Sequence, residues 1–226
     1  LAKLWYFWTN HFTISDTQSL ANFSTGAYQR EFIRANMDKK FETMAIDATI
    51  AWPMMMHLDN KDNIGPKSKS AKSEWRRREK KPATINENHA RELLELHTVS
   101  PNAGYTQEDI IELAKIMTGW RPKWSKQKDH GHDVSFDTDR HEPGKKTIFG
   151  KVYKRGSKSL KIVIKDLANH PSCREFIATK LCRYLITDNP TKDMITPIIK
   201  AWEKSDGYLP EVHKAAIKVA YEYNDK

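Results

Sequence analysis

Reactive side chains are densest between residues 86 and 97 of this 226-residue chain. At about 100° per residue of an α-helix, Arg91, Glu92 and Glu95 fall on one side of that segment. Two carboxylates one turn apart can bind a divalent cation or share the acid and base roles of a hydrolysis. One hypothesis therefore makes Arg91, Glu92 and Glu95 catalytic. It adds His97, from the same segment, as an acid or a metal ligand.

The same segment also fits a purely structural role. Glu87 precedes Arg91 by four residues and Arg91 precedes Glu95 by four, which is the spacing of ion pairs on a solvated helix face. His97 falls on the opposite, apolar side with Leu93, where a lone histidine is more often a hydrogen-bonded core residue than a ligand. The spacing alone leaves a catalytic face and a solvated face both open.

His11 and His141 complete the list of candidate residues, together with His97 of this segment. A separate run, residues 129–133, places two histidines at alternate positions, which can face one ion in an extended chain. That run has no third ligand nearby in sequence, so an accidental polar loop is the alternative. The sequence does not identify a cofactor, and a divalent metal ion is the candidate.

Composition and missing motifs exclude several classes of protein. With 38% hydrophobic and 30% charged residues, the chain is neither a disordered tail nor a membrane span. Its longest apolar stretch, residues 50–56, is far shorter than a bilayer requires, and its mean hydropathy is -0.74, so no transmembrane segment is predicted. The sequence has no Gly-x-Ser-x-Gly elbow, P-loop or dinucleotide-binding glycine motif, which counts against serine hydrolases, NTPases and Rossmann oxidoreductases.

The net charge of +9 is concentrated in residues 67–81, which hold eight lysines and arginines against two glutamates. Because this segment lacks apolar periodicity, residues 67–82 are predicted to form a mobile surface loop. Its natural partners are anionic, such as an acidic polymer or a membrane surface. The anion-binding residues of this loop would be Arg76, Arg77, Arg78, Lys80 and Lys81. One tryptophan in the run does not make a stacking platform for bases, so nucleic-acid binding is disfavoured.

The elements that must position these groups are mostly helices, predicted from apolar periodicity and from helix start and stop signals. The predicted helices are residues 1–10, 28–35, 38–51, 86–97, 106–118, 160–167, 171–186, 194–204 and 210–223. Pro53 should end or kink the third of them. The helix 171–186 holds both cysteines, nine positions apart and on opposite faces, so they cannot pair. Its predicted buried face consists of Phe176, Ile177, Lys180, Leu181, Tyr184 and Leu185.

The stretch 120–150 is rich in turn-forming residues. Its strand-like pieces, 134–137 and 146–149, lie on either side of residues 142–145, where Pro then Gly fits a type II turn. We therefore predict a small β-hairpin or an ordered loop near residues 134–149. With no internal repeat, the whole chain is predicted to be a single mainly-α, multi-helix domain.

The residues quoted so far carry a resemblance to a known family. Residues 86–98, 104–107 and 113–120 closely resemble the bacterial family called domain of unknown function 1800 (DUF1800). Further matches, in the family's order, are residues 8–12, 58–60, 65–66, His141 with Lys145 or Lys146 and Gly150, and 170–171 with 180–181. The resemblance implies a mostly helical protein that is periplasmic or secreted and is frequently encoded beside a sulfatase-like partner.

Some features depart from the family pattern. His89 stands where an aromatic or apolar residue is usual, and Glu142 follows His141 where Asp is usual. The basic loop replaces a shorter and less basic connection. Members of the family also extend beyond both ends of this chain, so it is expected to be a fragment of a longer protein. The chain itself shows no signal peptide, and export is therefore implied by the resemblance only.

The resemblance leaves two interpretations of the polar residues, which form either one shared pocket or a set of structural hydrogen bonds. The pocket residues would be Asn10, His11, Asn60, Asn86, Asn88 and His141. A shared pocket favours an exported enzyme or metal-dependent hydrolase acting on an extracytoplasmic polymer or its modification. Its metal ligands or acids would be His11, His97 and His141, with Glu92 or Glu95 as base or ligand. Structural hydrogen bonds favour a non-catalytic scaffold or binding module working with an exported sulfatase-like partner.

Overall fold

The computed structural model describes residues 1–15, 23–73, 83–122 and 134–224. Helices form most of these ranges, with two short antiparallel strand pairs between them. The predicted mainly-α fold with a β excursion is therefore confirmed. Within the described ranges, no helix is both long enough and apolar enough to cross a bilayer.

The helix bounds follow the predicted ones closely. In chain order the α-helices are α1 (Ala2–His11), α2 (Thr25–Tyr28), α3 (Phe41–Ile50), α4 (Trp52–His57), α5 (Lys69–Lys72), α6 (Asn88–Glu92), α7 (Gln107–Met117), α8 (Lys158–Ala168), α9 (Pro171–Leu185), α10 (Lys192–Ser205) and α11 (Leu209–Asn224). Shorter turns are π-helical at Gln29–Ile33 and Leu93–His97 and 3-10 at Arg34–Asn36, Asn60–Asp62 and Pro101–Ala103. Pro53 lies in the first turn of α4, where its fixed φ suits a helix start, so the chain breaks at Ala51 and a new helix follows.

The β excursion is present, but its strands pair differently from a hairpin across residues 142–145. The strands are β1 (Trp120–Pro122), β2 (Val134–Phe136), β3 (Lys146–Ile148) and β4 (Lys151–Tyr153). β1 pairs with β2, and β3 pairs with β4. Phe149 and Gly150 connect β3 to β4 with φ values of 49° and 74°. Two consecutive positive φ values are typical of a tight type I′ turn, which favours pairing of the strands directly beside it.

The core is built around α1. The indole ring of Trp8 lies 5.6 Å from the ring of Phe41 in α3, and Trp8 Nε1 donates to His213 Nε2 of α11 at 2.8 Å. Phe41 packs in turn against Trp202 of α10, with ring centroids 5.1 Å apart. These contacts fix the orientation of α1 and therefore of His11 at its end.

The buried face of α9 includes Ile177 and Leu181, as predicted, but it is centred further toward the two cysteines. Its buried residues are Cys173, Ile177, Ala178, Leu181 and Cys182. The small side chains on this side let α10 and α11 pack closely against α9. Tyr184 is therefore exposed and Lys180 only partly buried. Both cysteines are free.

Candidate functional site

Arg91 is the centre of an ion-pair network on the surface of α6. Its Nη2 donates to Glu87 Oε1 at 2.8 Å and to Gln107 Oε1 at 2.9 Å. Its Nη1 donates to Glu95 Oε1 at 3.2 Å. The hydrogen bond from Arg91 is the main cause that lowers the pKa of Glu87. The network joins α6 to the first residue of α7, which is a structural role.

Glu92 lies outside this network. Its side chain makes no hydrogen bond or ion pair within the part of the chain that the structure describes. Burial raises the pKa of its carboxyl group, and the neighbouring Glu95 adds to the shift. Burial, together with the charge of Glu95, raises the pKa of Tyr105 to about 12. Arg91 and Tyr105 are therefore electrostatic neighbours of this carboxylate pair.

Two asparagines close the C-terminal end of α7. Asn60 Nδ2 donates to the carbonyl oxygens of Met117 and Trp120, at 3.3 and 2.8 Å. Asn63 Nδ2 donates to the carbonyl oxygen of Ala114 at 2.9 Å and to Asn60 Oδ1 at 3.1 Å. The last carbonyls of a helix have no partner within it, so these amides satisfy groups that α7 leaves open.

The other predicted pocket asparagines connect the start of α6 to the end of α4. The backbone N–H of Asn86 donates to Asn63 Oδ1 at 3.0 Å, and Asn86 Nδ2 donates to the carbonyl oxygen of Asp59 at 3.2 Å. Asn86 Oδ1 accepts from the backbone N–H of Asn88 at 3.1 Å. Asn88 Nδ2 donates to the carbonyl oxygen of Leu58 at 3.5 Å. These contacts give the asparagines a structural role.

His141 belongs to a second buried cluster, beside the end of α7. Its Nδ1 donates to the carbonyl oxygen of Thr118 at 2.7 Å, and its Nε2 accepts from the backbone N–H of Gly156 at 3.3 Å. Burial lowers the pKa of His141 to about 4, so the ring is neutral. The next residue, Glu142, donates its backbone N–H to Thr118 Oγ1 at 2.8 Å. The cluster fixes the loop that enters β3.

Lys146 is a buried cation in the same cluster. Its Nζ donates to the carbonyl oxygens of Glu142 and Gly144. Burial lowers the pKa of Lys146 to about 8. The loop also contacts Gly65 so closely that a Cβ there would lie 2.6 Å from the Cα of Glu142.

His11 forms a third group of contacts, between α1 and α9. Its Nε2 donates to the carbonyl oxygen of His97 at 3.1 Å, and its Nδ1 accepts from Lys180 Nζ at 2.9 Å. Burial is the largest cause that lowers the pKa of His11, and the charge of Lys180 adds to it. The pair lies at a pocket of about 380 Å³. The pocket is lined by Phe7, Asn10, His11, Lys180, Arg183 and Tyr184.

His89 and His97 lie in the protein interior. Neither ring nitrogen of His89 has a hydrogen-bond partner among the described residues, and the same holds for Nδ1 of His97. Burial lowers the pKa of each histidine to about 3. Both rings are therefore neutral and act as core side chains.

A family model described as "Protein of unknown function (DUF1800)" matches residues 1–224. The chain belongs to the DUF1800 family. Searches among curated proteins and among solved structures found no match.

The polar residues of this DUF1800 protein do not fit the predicted metal site. Both ring nitrogens of His11 are used by His97 and Lys180, and His141 makes its contacts in a different cluster. Across the described ranges, no three His, Cys, Asp or Glu side chains are arranged to hold a metal ion.

Two predicted sites of the DUF1800 chain fall outside the described residues. The first is the histidine run 129–133. The second is the set of anion-binding residues, Arg76, Arg77, Arg78, Lys80 and Lys81. Of the basic loop, the structure describes residues 67–73, in which Lys69–Lys72 form a short helix capped by Ser68. Anion binding by the loop stays a prediction.

Three residues were missed as candidates from the sequence. Asn63 carries no motif, although it is the centre of the asparagine contacts. Lys180 was assigned to a buried helix face, and Arg183 lies one turn further along α9. The sequence does contain one indication of this role. Lys180 stands on an otherwise apolar helix face, and a lysine in such a position needs a polar partner.

Proposed function

We propose that this DUF1800 chain is a non-catalytic binding module rather than a hydrolase. The observation that carries the proposal is the distribution of the candidate residues among separate groups of contacts. Arg91 with Glu95, Asn60 with its neighbours, and His141 each bond to nearby backbone or side chains that hold helices together. A hydrolase built on Glu92, Glu95 and histidines needs these groups around one cavity.

Export and a sulfatase-like partner are part of the same proposal. They are supported by the family resemblance alone. Fractionation of cells that produce the native protein, followed by immunoblotting, tests the first part, with the protein expected in the periplasmic or secreted fraction. Recovery with cytoplasmic markers would contradict it.

The environment of Glu92 is the one observation that favours the enzyme hypothesis. Its carboxyl group lacks a partner among the described residues, and burial raises its pKa. A carboxyl group of this kind suits a general acid or base. The enzyme would act on an extracytoplasmic polymer or its modification, with Glu92 as the acid or base and Glu95 beside it.

Metal content and stability, measured together, separate the two functions. Tag-free wild type, Glu92→Gln and His97→Ala are compared by elemental mass spectrometry and by thermal unfolding. We expect far less than one metal ion per chain in all three. Only His97→Ala should lose stability, because it leaves a cavity in the core. Near-stoichiometric metal that disappears in both variants would overturn the proposal.

A second arm covers an enzyme that needs no metal. The same proteins are assayed with chromogenic esters, glycosides and sulfate esters. We expect no turnover above the buffer rate by any of them. Turnover by wild type that Glu92→Gln abolishes, with an unchanged melting temperature, would establish the enzyme instead.

A further inference from the structure

We propose that the pocket between α1 and α9 binds a small organic anion, with Lys180 and Arg183 holding its oxyanion group and Phe7 and Tyr184 contacting its apolar part. This inference rests on the proposed function, because it names the ligand class of the binding module.

The first argument is charge. Lys180 and Arg183 both line the pocket, and neither forms an ion pair with a carboxylate within the described ranges. Burial lowers the pKa of Lys180, with no acidic neighbour among the causes that act on it. A half-buried cation without a counter-charge is unfavourable, and a bound anion offsets that cost.

The second argument is the state of His11. Because its Nε2 donates to the carbonyl oxygen of His97, its Nδ1 is the acceptor for Lys180. The imidazole is therefore neutral and supplies no counter-charge to Lys180, whose Nζ also lies 5.2 Å from the ring centroid of Phe176. An ammonium has three N–H donors. His11 uses one of them and fixes the position of Nζ, so two remain for an oxyanion.

The third argument is the shape and lining of the site. The rings of Phe7 and Tyr184 lie 5.6 Å apart and are tilted by 56°. The exposed amide of Asn10 adds a polar group at the rim. A volume of about 380 Å³ is within the range of small-molecule pockets. Aromatic surface beside two cations suits a ligand such as an aromatic carboxylate or an aryl phosphate.

The test uses isothermal titration calorimetry with benzoate, phenyl phosphate and the neutral isostere benzamide. Wild type is compared with Lys180→Gln, Arg183→Gln and Lys200→Gln. Lys200 is an exposed lysine of α10 outside the pocket, so its variant makes the same charge change elsewhere. We expect at least one anion to bind wild type and Lys200→Gln equally, with about tenfold weaker binding by Lys180→Gln. Arg183→Gln should weaken binding by a smaller factor.

The relative affinities of benzoate and phenyl phosphate show whether the pocket favours a carboxylate or a phosphate. Benzamide binding as tightly as benzoate would overturn the inference, as would equal anion affinity of wild type and Lys180→Gln. Arg183 is exposed, so its variant keeps the test valid if Lys180→Gln fails to fold.

A pH profile adds a readout that a purely structural lysine would not give. Benzoate affinity should fall for wild type as the pH rises and Lys180 loses its proton, and the fall should begin below the usual pKa of a lysine because burial lowers the pKa of Lys180. Lys180→Arg keeps its charge and should bind equally throughout. A flat wild-type profile would contradict the assignment. Loss of anion binding would leave the metal and turnover tests of the proposed function unaffected, whereas stoichiometric metal would overturn that function alone.

Discussion

Four buried histidines share a neutral state for the same physical reason. The pKa values of His89 and His97 are lowered to about 3, and those of His141 and His213 to about 4, with burial as the largest cause in each case. Their hydrogen bonding differs. His141 uses both ring nitrogens, whereas His89 uses neither among the described residues. The same substitution should therefore have opposite effects at these two positions.

We predict that His89→Leu stabilises the protein by about 1–2 kcal/mol, because it removes a buried polar ring without a partner. The matched control is His141→Leu, which should cost about 2–3 kcal/mol because it leaves the Thr118 carbonyl oxygen and the Gly156 N–H unpaired. Urea unfolding measures both. A loss of stability in His89→Leu would show that the ring has a partner in solution.

At the scale of elements, the helices were predictable and their connections were not. Periodicity within one segment defines α7 or α9, since a helix depends on neighbours three and four residues away. The pairing of β3 with β4 depends on positive φ at Phe149, which its residue type does not indicate. The contacts of Asn63 are equally invisible in sequence, because they reach Ala114 and Asn86.

We predict that Asn63→Ala destabilises the protein by about 2–4 kcal/mol. The change removes hydrogen bonds to Ala114, Asn60 and Asn86 and leaves buried groups unpaired. Asn88→Ala is the control. Because Asn88 is exposed, this substitution should cost less than about 1 kcal/mol. Thermal unfolding gives both values. Equal melting temperatures for the two variants would contradict the central position of Asn63.

A substitution at Gly65 tests the contact between the turn after α4 and the loop that enters β3. Gly65→Ala should cost about 2 kcal/mol or more, because its Cβ would lie 2.6 Å from backbone atoms of Glu142. Gly26→Ala is the control, since Gly26 lies within α2 with open space around it. That change should be neutral or stabilising by up to about 1 kcal/mol. Equal unfolding midpoints for the two variants would show that the loop does not contact Gly65.

For the whole molecule, neutral buried histidines connect stability to pH. An unfolded histidine has a pKa of about 6.5, so below that pH the unfolded state binds protons that the folded state excludes. Above about pH 7.5 these groups have no pH-dependent effect on stability, and each of them lowers the stability progressively as the pH falls toward its folded-state pKa. At pH 5 each of the four costs about 2 kcal/mol, and their sum is comparable to the stability of a whole domain.

We predict that stability measured by urea unfolding falls steeply between about pH 6.5 and about pH 4.5. The slope of the unfolding free energy against pH measures how many protons the chain binds on unfolding. His89→Leu should reduce that number by about one, because residue 89 can then no longer bind a proton in the unfolded state. Circular dichroism at each pH follows the transition. A wild-type stability that stays constant from pH 7.5 to pH 5 would show that the histidines are protonated in the folded state.

The candidate pocket depends on how distant parts of the chain pack together. His11 and Lys180 are 169 residues apart in sequence, and the packing of α1 and α9 on a common core brings them together. The sequence indicated His11 as a pocket residue, whereas Lys180 and Arg183 gained that role only from the orientation of α9. Residue types therefore identified Asn10 and His11, and tertiary packing supplied the charge of the site.

A crystal structure of the protein grown with phenyl phosphate tests the central claim most directly. We predict electron density for the anion between α1 and α9, with a phosphate oxygen within hydrogen-bond distance of Lys180 Nζ, and Arg91 still bonded to Glu87 and Glu95. An empty pocket, with Glu92 and histidine side chains gathered around a metal ion or a reacted ligand elsewhere, would contradict the binding-module function.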